Sequence, residues 1–508
     1  MVAAGIITDL GQKGDCSVFE IIRNWTDQPF VSYFFIGTYI VNFIISLLII
    51  FVERKNPAAT IAWIMILFLI PIGGIVLYIF LSQNIARKKI FKLTKDEEWL
   101  TTNSLEKQNA EIQNGSFVFT NHESKLWRDL IRLNQIYGRA YFTQDNHVEI
   151  LTDGTQMFDR LLEDINAAKE TINVMFFILR NDTIGKAFVD ALTEKAKSGV
   201  EVRLLVDALG SRFVNHGMLS QYIEAGGKYA LFFPAEIKII NRRLNYRNHR
   251  KLVIIDDHIG YVGGFNIARE YLGMKKKFGY WRDTHLRIKG GSVQDMNYRF
   301  MLDWRFASKE QIDLSKIFFE PGEAAGTTGV QIVSCGPDSD KQEVKRAFMK
   351  MITSATRNIY IQTPYFVPDQ SILESLKMAS QSGVDVRIMI PCKPDHMFVY
   401  WATYSFIGEM LKDGVRVYIY ENGFLHAKTI TVDGEVCSVG SANFDNRSFK
   451  LNFEANAFMY DGHVTKELDK IYKEDLKQCR QLTWKEYLSR PIIIRLKEAI
   501  SRLLSDFL

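Results

Sequence analysis

NHRKLVIIDDHIGYVGGFN, residues 248–266, and LHAKTITVDGEVCSVGSAN, residues 425–443, are two versions of one pattern. Each carries H-x-K-x-x-x-x-D, as His249, Lys251, Asp256 and as His426, Lys428, Asp433, with the histidines 177 residues apart. On an extended strand, side chains two positions apart emerge on one face, so each His and its Lys point together. That pairing suits an anionic phosphodiester. An imidazole attacks phosphorus or moves protons near neutral pH, and an ammonium neutralises non-bridging oxygens as charge shifts. The aspartate stands an odd number of residues from the His and is expected to brace the loop or its Lys. Past each strand come GGFN and GSAN, ending in Asn266 and Asn443. Their small residues are expected to let backbone amides approach a phosphate, with the Asn amide as a further donor.

Around these motifs a longer series repeats. TINVMFFIL (171–179) and NIYIQ (358–362) read as buried strands, followed by KSGVEVRLLVD (197–207) and QSGVDVRIMIP (381–391), then GGKYALFF and DGVRVYIY. A repeat this long implies duplicated α/β domains, packed face to face, rather than a solenoid. Each copy also supplies a later acidic residue, Asp283 in WRDTHLRI and Glu454 in NFEANAFMY. They follow their histidines by 34 and 28 residues and are assigned to hold the imidazole tautomers.

Ahead of the repeats lie two apolar runs without charged side chains, Val31–Val52 and Ile61–Leu81. Each exceeds the ~20 residues a helix needs to cross a bilayer. They read as a transmembrane hairpin, although Pro71, Gly73 and Gly74 allow a broken or re-entrant second segment. Arg87, Lys88, Lys89, Lys92 and Lys95 follow, against Arg54 and Lys55 in the connecting loop, which places the large body in the cytoplasm. The last segment spaces Ile493, Leu496, Ile500, Leu503 and Phe507 helically between Arg495, Lys497 and Arg502. It reads as an amphipathic helix, docked on its own domain or lying at the membrane interface. The resulting division is an N-terminal segment (1–30), hairpin (31–83), basic linker (84–140), first repeat domain (141–318), second repeat domain (319–480) and C-terminal amphipathic helix (481–508).

Composition, 47% hydrophobic and 24% charged, is that of a folded protein. A net charge of +5 suits an anionic partner but is too small for a nucleic-acid footprint. Five scattered cysteines form no CxxC pair, so neither a disulfide framework nor a zinc signature appears. With no Walker-type loop, HExxH or Cys/His cluster, no metal or nucleotide cofactor is expected.

The paired motifs resemble the phospholipase D superfamily over most of residues 141–480. The resemblance implies two domains giving one HKD motif each to a single site, and a covalent phosphohistidine formed by one histidine while the other shuttles protons. ERKNPAATIAW (53–63), TPYFVPD (363–369) and SCGPD (334–338) further resemble bacterial cardiolipin synthases. That resemblance implies an enzyme of the bacterial cell membrane that joins two phosphatidylglycerols, releasing glycerol. One departure is NVMFFILRND (173–182), where a more polar, tyrosine-bearing strand is expected. The alternative function is a membrane-bound phospholipase D-type hydrolase. Oligomeric state is not legible.

Overall fold

In the computed structural model of the chain, residues 29–53, 57–81, 90–234, 245–317, 324–503 and 505 are described. Two compact units result, one over residues 1–83 and one over 84–508. In the first, an apolar helix over Pro29–Leu48 runs into one π-helical turn, Ile49–Glu53. The span Val31–Glu53 is long and apolar enough to cross a membrane. The second apolar run departs from the expected single helix. It is two helices, Pro57–Leu69 and Pro71–Leu81. Pro71 has no N–H to offer the Leu67 carbonyl one turn back. The buried Asn42 of the first helix fills that gap, its amide donating to Leu67 O at 2.6 Å and to Pro71 O at 3.3 Å. Gly74 packs against the break, where a Cβ would sit 2.7 Å from Ile66 O. The loop residues Arg54 and Lys55, and Arg87, Lys88 and Lys89, lie outside the described residues.

The second unit is built on a sixteen-stranded sheet, fifteen strands in one path and the dipeptide Arg247–Asn248 paired off it. The first repeat contributes β1 (Thr143–Leu151), β2 (Thr171–Phe176), β3 (Glu201–Asp207), β4 (Lys228–Phe232), β5 (Leu252–Ile255), β6 (Ile259–Gly263) and β7 (His285–Lys289). The second contributes β8 (Thr328–Cys335), β9 (Asn358–Gln362), β10 (Asp385–Pro391), β11 (Arg416–Tyr420), β12 (Thr429–Val432), β13 (Val436–Gly440), β14 (Asn452–Tyr460) and β15 (Cys479–Leu482). The order within the first repeat is β1-β7-β6-β5-β2-β3-β4, and within the second β8-β14-β13-β12-β9-β10-β11, with β15 added at the edge. The topology is therefore duplicated strand for strand. In each copy three parallel strands are joined by crossover helices, which begin where the sequence supplies a cap. Asp182 accepts from the amides of Ile184 and Gly185, and Asp369 from that of Ile372.

The copies meet in two ways. Face to face, they share one core in which Met175, Leu252 and Leu286 of the first pack with Val439, Phe453 and Met459 of the second. Edge to edge, β1 pairs antiparallel with β8 through Thr143 and Asn146, with a bulge between them, and with β7 through His147–Leu151. This join of the two copies into one sheet is absent from the sequence reading. Residues 95–138, read as part of a basic linker, are instead the helices Lys95–Asn114, His122–Leu126 and Arg128–Gly138. Ile112, Trp127, Leu130 and Ile131 from them enter the core of the second repeat.

Candidate active site

The chain reaches His249 through the dipeptide Arg247–Asn248, which pairs in parallel with Asn452–Phe453 at the start of β14. His249 N then donates to Phe453 O at 2.9 Å. The other repeat does the same thing in reverse. Phe424–Leu425 pairs in parallel with Trp281–Arg282, and His426 N donates to Arg282 O at 2.7 Å. Each histidine is thus stitched by its backbone to the strand of the opposite repeat, one residue before that strand's carboxylate. The consequence is a crossed pairing. His249 Nδ1 lies 2.9 Å from Glu454 Oε2, and His426 Nδ1 lies 2.6 Å from Asp283 Oδ2. The carboxylates are brought to the histidines as expected, but to those of the other copy rather than their own.

Both carboxylates are fully buried, while the imidazoles keep a narrow exposure of 13% and 9% of their side chains. With Nδ1 engaged, Nε2 is the remaining nitrogen of each ring. Glu454 is further held by Ser448 Oγ at 3.1 Å and Asn452 Nδ2 at 3.3 Å, and Asp283 by the Thr284 amide at 2.8 Å. The lysines lie beside their histidines, although both HxK triplets fall between strands rather than within one. Lys251 Nζ donates to His249 O at 2.6 Å, and Lys428 Nζ is 2.9 Å from His426 Nδ1 and bonds His426 O.

Four basic and two acidic side chains, all buried or nearly so, perturb one another. Desolvation, with the Lys428 charge added, lowers His426 to about 4 against the pull of Asp283. Desolvation lowers His249 too, in spite of Glu454. Burial brings Lys251 down to about 7 and Lys428 to about 8. Burial also works to raise Asp283 and Glu454, yet the neighbouring cations and hydrogen bonds outweigh it and both stay below the usual carboxylate range. The imidazoles are thus held neutral between ionised carboxylates, beside lysines that titrate near neutrality. An anion placed among them raises every one of those cationic pKa values.

Asp256 and Asp433 are not brought to the histidines. Each closes the turn at the far end of its strand in the left-handed backbone region, at φ of 50° and 56°. Asp256 accepts from the amides of Lys169, Glu170 and Thr171 at 2.8–2.9 Å. Asp433 accepts from Thr356, Arg357 and Asn358 at 2.7–2.9 Å. They brace the entry to the first core strand of each repeat. The glycine-led turns also differ from expectation. The amides of Gly264 and Ser441 are spent on Thr284 O and Ala455 O, inside the sheet. Smallness is needed because a Cβ on Gly264 would sit 1.9 Å from Asp283 Oδ1. Asn266 is likewise committed to protein, accepting from the Ile178 amide and donating to Tyr271 Oη at 2.8 Å. Asn443 donates to Asp445 at 3.1 Å.

Three features were not foreseen. Arg250, between His and Lys, is buried and reaches across to Glu454 O and Cys335 O at 3.1 Å, neutralised by Asp303 at 2.7 Å. Its counterpart is Ala427, so the repeats differ here, and only a comparison of the two motifs position by position signals it. Phe177, within the unexpectedly apolar strand NVMFFILRND, sits edge-on to His249 at 4.9 Å with Lys251 Nζ 5.6 Å from its centroid. His426 is instead surrounded by Trp281 at 5.1 Å, Phe424 at 6.1 Å and Tyr271 at 6.2 Å.

Comparison with known proteins agrees with this geometry. Residues 161–280 and 348–476 match the cardiolipin synthase, PLD-like domain family, and residues 40–83 match the phospholipase D-nuclease N-terminal family. The chain is 48% identical to the major cardiolipin synthase of Bacillus subtilis over 92% of its own length and 98% of that protein. It is 46% identical to a cardiolipin synthase of Oceanobacillus iheyensis over 93% and 98%. A phosphatidylserine synthase from Haemophilus influenzae shares the fold, with a TM-score of 0.59 at 15% identity over 75% of this chain and all of the other. The duplicated HxK motifs, the His–carboxylate pairs made across the copies and these relatives together place the chain in the bacterial cardiolipin synthases of the phospholipase D superfamily.

Proposed function

We propose that the crossed pairs carry out phosphatidyl transfer between two phosphatidylglycerol molecules in two displacements at phosphorus. In the first, Nε2 of one histidine attacks the donor phosphodiester. The P–O bond to the glycerol headgroup breaks, and the second histidine gives that oxygen a proton, releasing glycerol. In the second, a headgroup hydroxyl of another phosphatidylglycerol loses its proton to the second histidine and attacks the phosphohistidine. The P–N bond breaks and cardiolipin forms. One phosphodiester is exchanged for another, so the balance needs no energy source. His249 is the assigned nucleophile, by analogy with the family.

The observation that carries this reading is the pair of buried His–carboxylate contacts made across the repeats. Each fixes Nδ1 as the inner nitrogen and leaves Nε2 for phosphorus or proton. Lys251 and Lys428 are assigned to the non-bridging oxygens. Bound phosphodiester, by adding negative charge, lifts the second imidazole towards the protonated form that an acid requires. The apolar unit at the N-terminus is assigned a multi-pass hairpin holding the body on the cytoplasmic face of a bacterial cell membrane. Reconstitution with phosphatidylglycerol vesicles, without metal or nucleotide, tests the reaction. Cardiolipin and glycerol are expected from the native protein and not from His249→Ala or His426→Ala. Phosphatidic acid as the main product would instead make it a hydrolase.

A further inference from the structure

The helix over Ile492–Leu503 is docked the wrong way round for a core-facing amphipathic helix. Its apolar stripe faces outward: Ile492 is 85% exposed, Leu503 82%, Ile493 and Leu496 54% each, and Ile500 48%. The residues turned inward are polar, with Glu498 and Ser501 buried. Ion pairs fix this orientation. Arg502 bonds Glu409 of the helix Met397–Lys412, Arg490 bonds Glu498 at 2.6 Å, and Lys497 Nζ lies 5.4 Å from the Trp401 ring centroid. The half-exposed Trp484 and Leu488 of the preceding short helix, Trp484–Leu488, add to the apolar surface of the segment.

Helical geometry puts Ile493, Leu496, Ile500 and Leu503 on one face, with Arg495 and Lys497 about 100° to either side of Leu496. Both of these are exposed, as is Lys485. The acids of the segment are already paired, Glu486 with Arg480 at 3.2 Å and Glu498 with Arg490. An apolar strip flanked by cations and, among the described residues, free of unpaired acids is complementary to an anionic lipid surface, where side chains of this kind enter the acyl boundary while the cations meet headgroups. A symmetric contact with a second copy would bring like charges together along the same strip. At 12 residues the helix is too short to span.

We propose that Ile492–Leu503 is an interfacial helix that lies in the surface of an anionic phospholipid bilayer, a membrane contact separate from the N-terminal apolar unit. It is tested on the full chain with Cys16, Cys392 and Cys479 replaced by Ala, carrying a nitroxide at Leu496→Cys, Ile500→Cys or, as control, the exposed Lys197→Cys. In phosphatidylglycerol vesicles, collisions with oxygen are expected to exceed those with a water-soluble nickel chelate at 496 and 500, and the order to reverse at 197. An unchanged melting temperature shows that each labelled protein is folded, and the reading does not depend on turnover. Labels at 496 and 500 as open to nickel as that at 197 would overturn the proposal. So would shielding accompanied by dipolar coupling between labels in detergent, which would assign the face to a second copy. Equal depth in phosphatidylcholine vesicles would remove the role given to the cations.

Discussion

The crossed pairing is best attacked through Asp283→Asn and Glu454→Gln. Asp283 is fully buried and meets His426 Nδ1 at 2.6 Å. With charge centres about 4 Å apart and an effective dielectric near ~20, the carboxylate favours an imidazolium by about 4 kcal/mol. Losing that in the transition state slows proton transfer by about a thousandfold. The carboxamide adds a second fault. Its oxygen keeps the Thr284 amide, so its NH2 faces Nδ1 and forces the imidazole into the wrong tautomer. The assay compares phosphatidylglycerol with a phosphatidyl nitrophenyl ester, whose leaving group departs without a proton, and reads the burst of nitrophenolate. Removing the nucleophile abolishes both the nitrophenolate burst and glycerol release from phosphatidylglycerol, whereas removing the acid stops glycerol release but spares the burst from the activated ester. Crossing predicts that Glu454→Gln behaves as His249→Asn does, and Asp283→Asn as His426→Asn. If the variants group by repeat instead, with Asp283→Asn matching His249→Asn, the geometry argued above is wrong.

Gly264→Ala places a methyl 1.9 Å from Asp283 Oδ1, so its turnover should fall to the level of Asp283→Asn although no ionisable group is changed, and kinetics on the purified variant decide it. Asp433→Ala should instead lower the melting temperature, by the loss of at least one charged hydrogen bond worth about 1.5–3 kcal/mol, while kcat of the folded fraction stays within a few fold. Lys251 and Lys428 lose their protons near pH 7 and 8 in the empty site, and a bound phosphodiester returns them. Lipid binding should therefore take up protons and weaken as pH rises past 8, seen as a rising KM and as buffer-dependent heats. Without lipid the sign for stability is opposite. The unfolded lysines hold protons up to a pKa of 10.5, so the folded body gains stability as pH climbs from about 7 towards 10.5, which melting curves across that window will show.

The two HxK strands were legible because a period-2 strand with a cation beside each imidazole has few uses, and a second copy removes accident. The duplicated strand order followed from it. What escaped the sequence were relations between elements. Separations of 34 and 28 residues are the same whether a carboxylate serves its own histidine or the other, and only the parallel pairing of Arg247–Asn248 with Asn452–Phe453 decides. The glycine turns were assigned to phosphate because small residues allow close approach. Here the group approached is the Asp283 carboxylate. The C-terminal stripe has the period of a core helix, yet Arg502 and Glu498 find their partners on the protein side and roll the stripe outward. Pro71 was visible as a possible break, but not that Asn42 would take up the carbonyl it orphans.

Crossing also explains why the two repeats remain one unit. In either repeat alone, the buried carboxylate would lose its imidazole partner and a lysine would stay desolvated beside fewer anions, a costly arrangement for buried charge. Arg250 reinforces the point from the first repeat, since both carbonyls it bonds, Glu454 O and Cys335 O, belong to the second. The pairing of β1 with β8 adds a backbone join between the two repeats to those made at the histidines. His249 and His426 each stand between two short strands, and the backbone bonds to Phe453 O and Arg282 O hold them there. Assembly of the fold and assembly of the site are, in this chain, the same event.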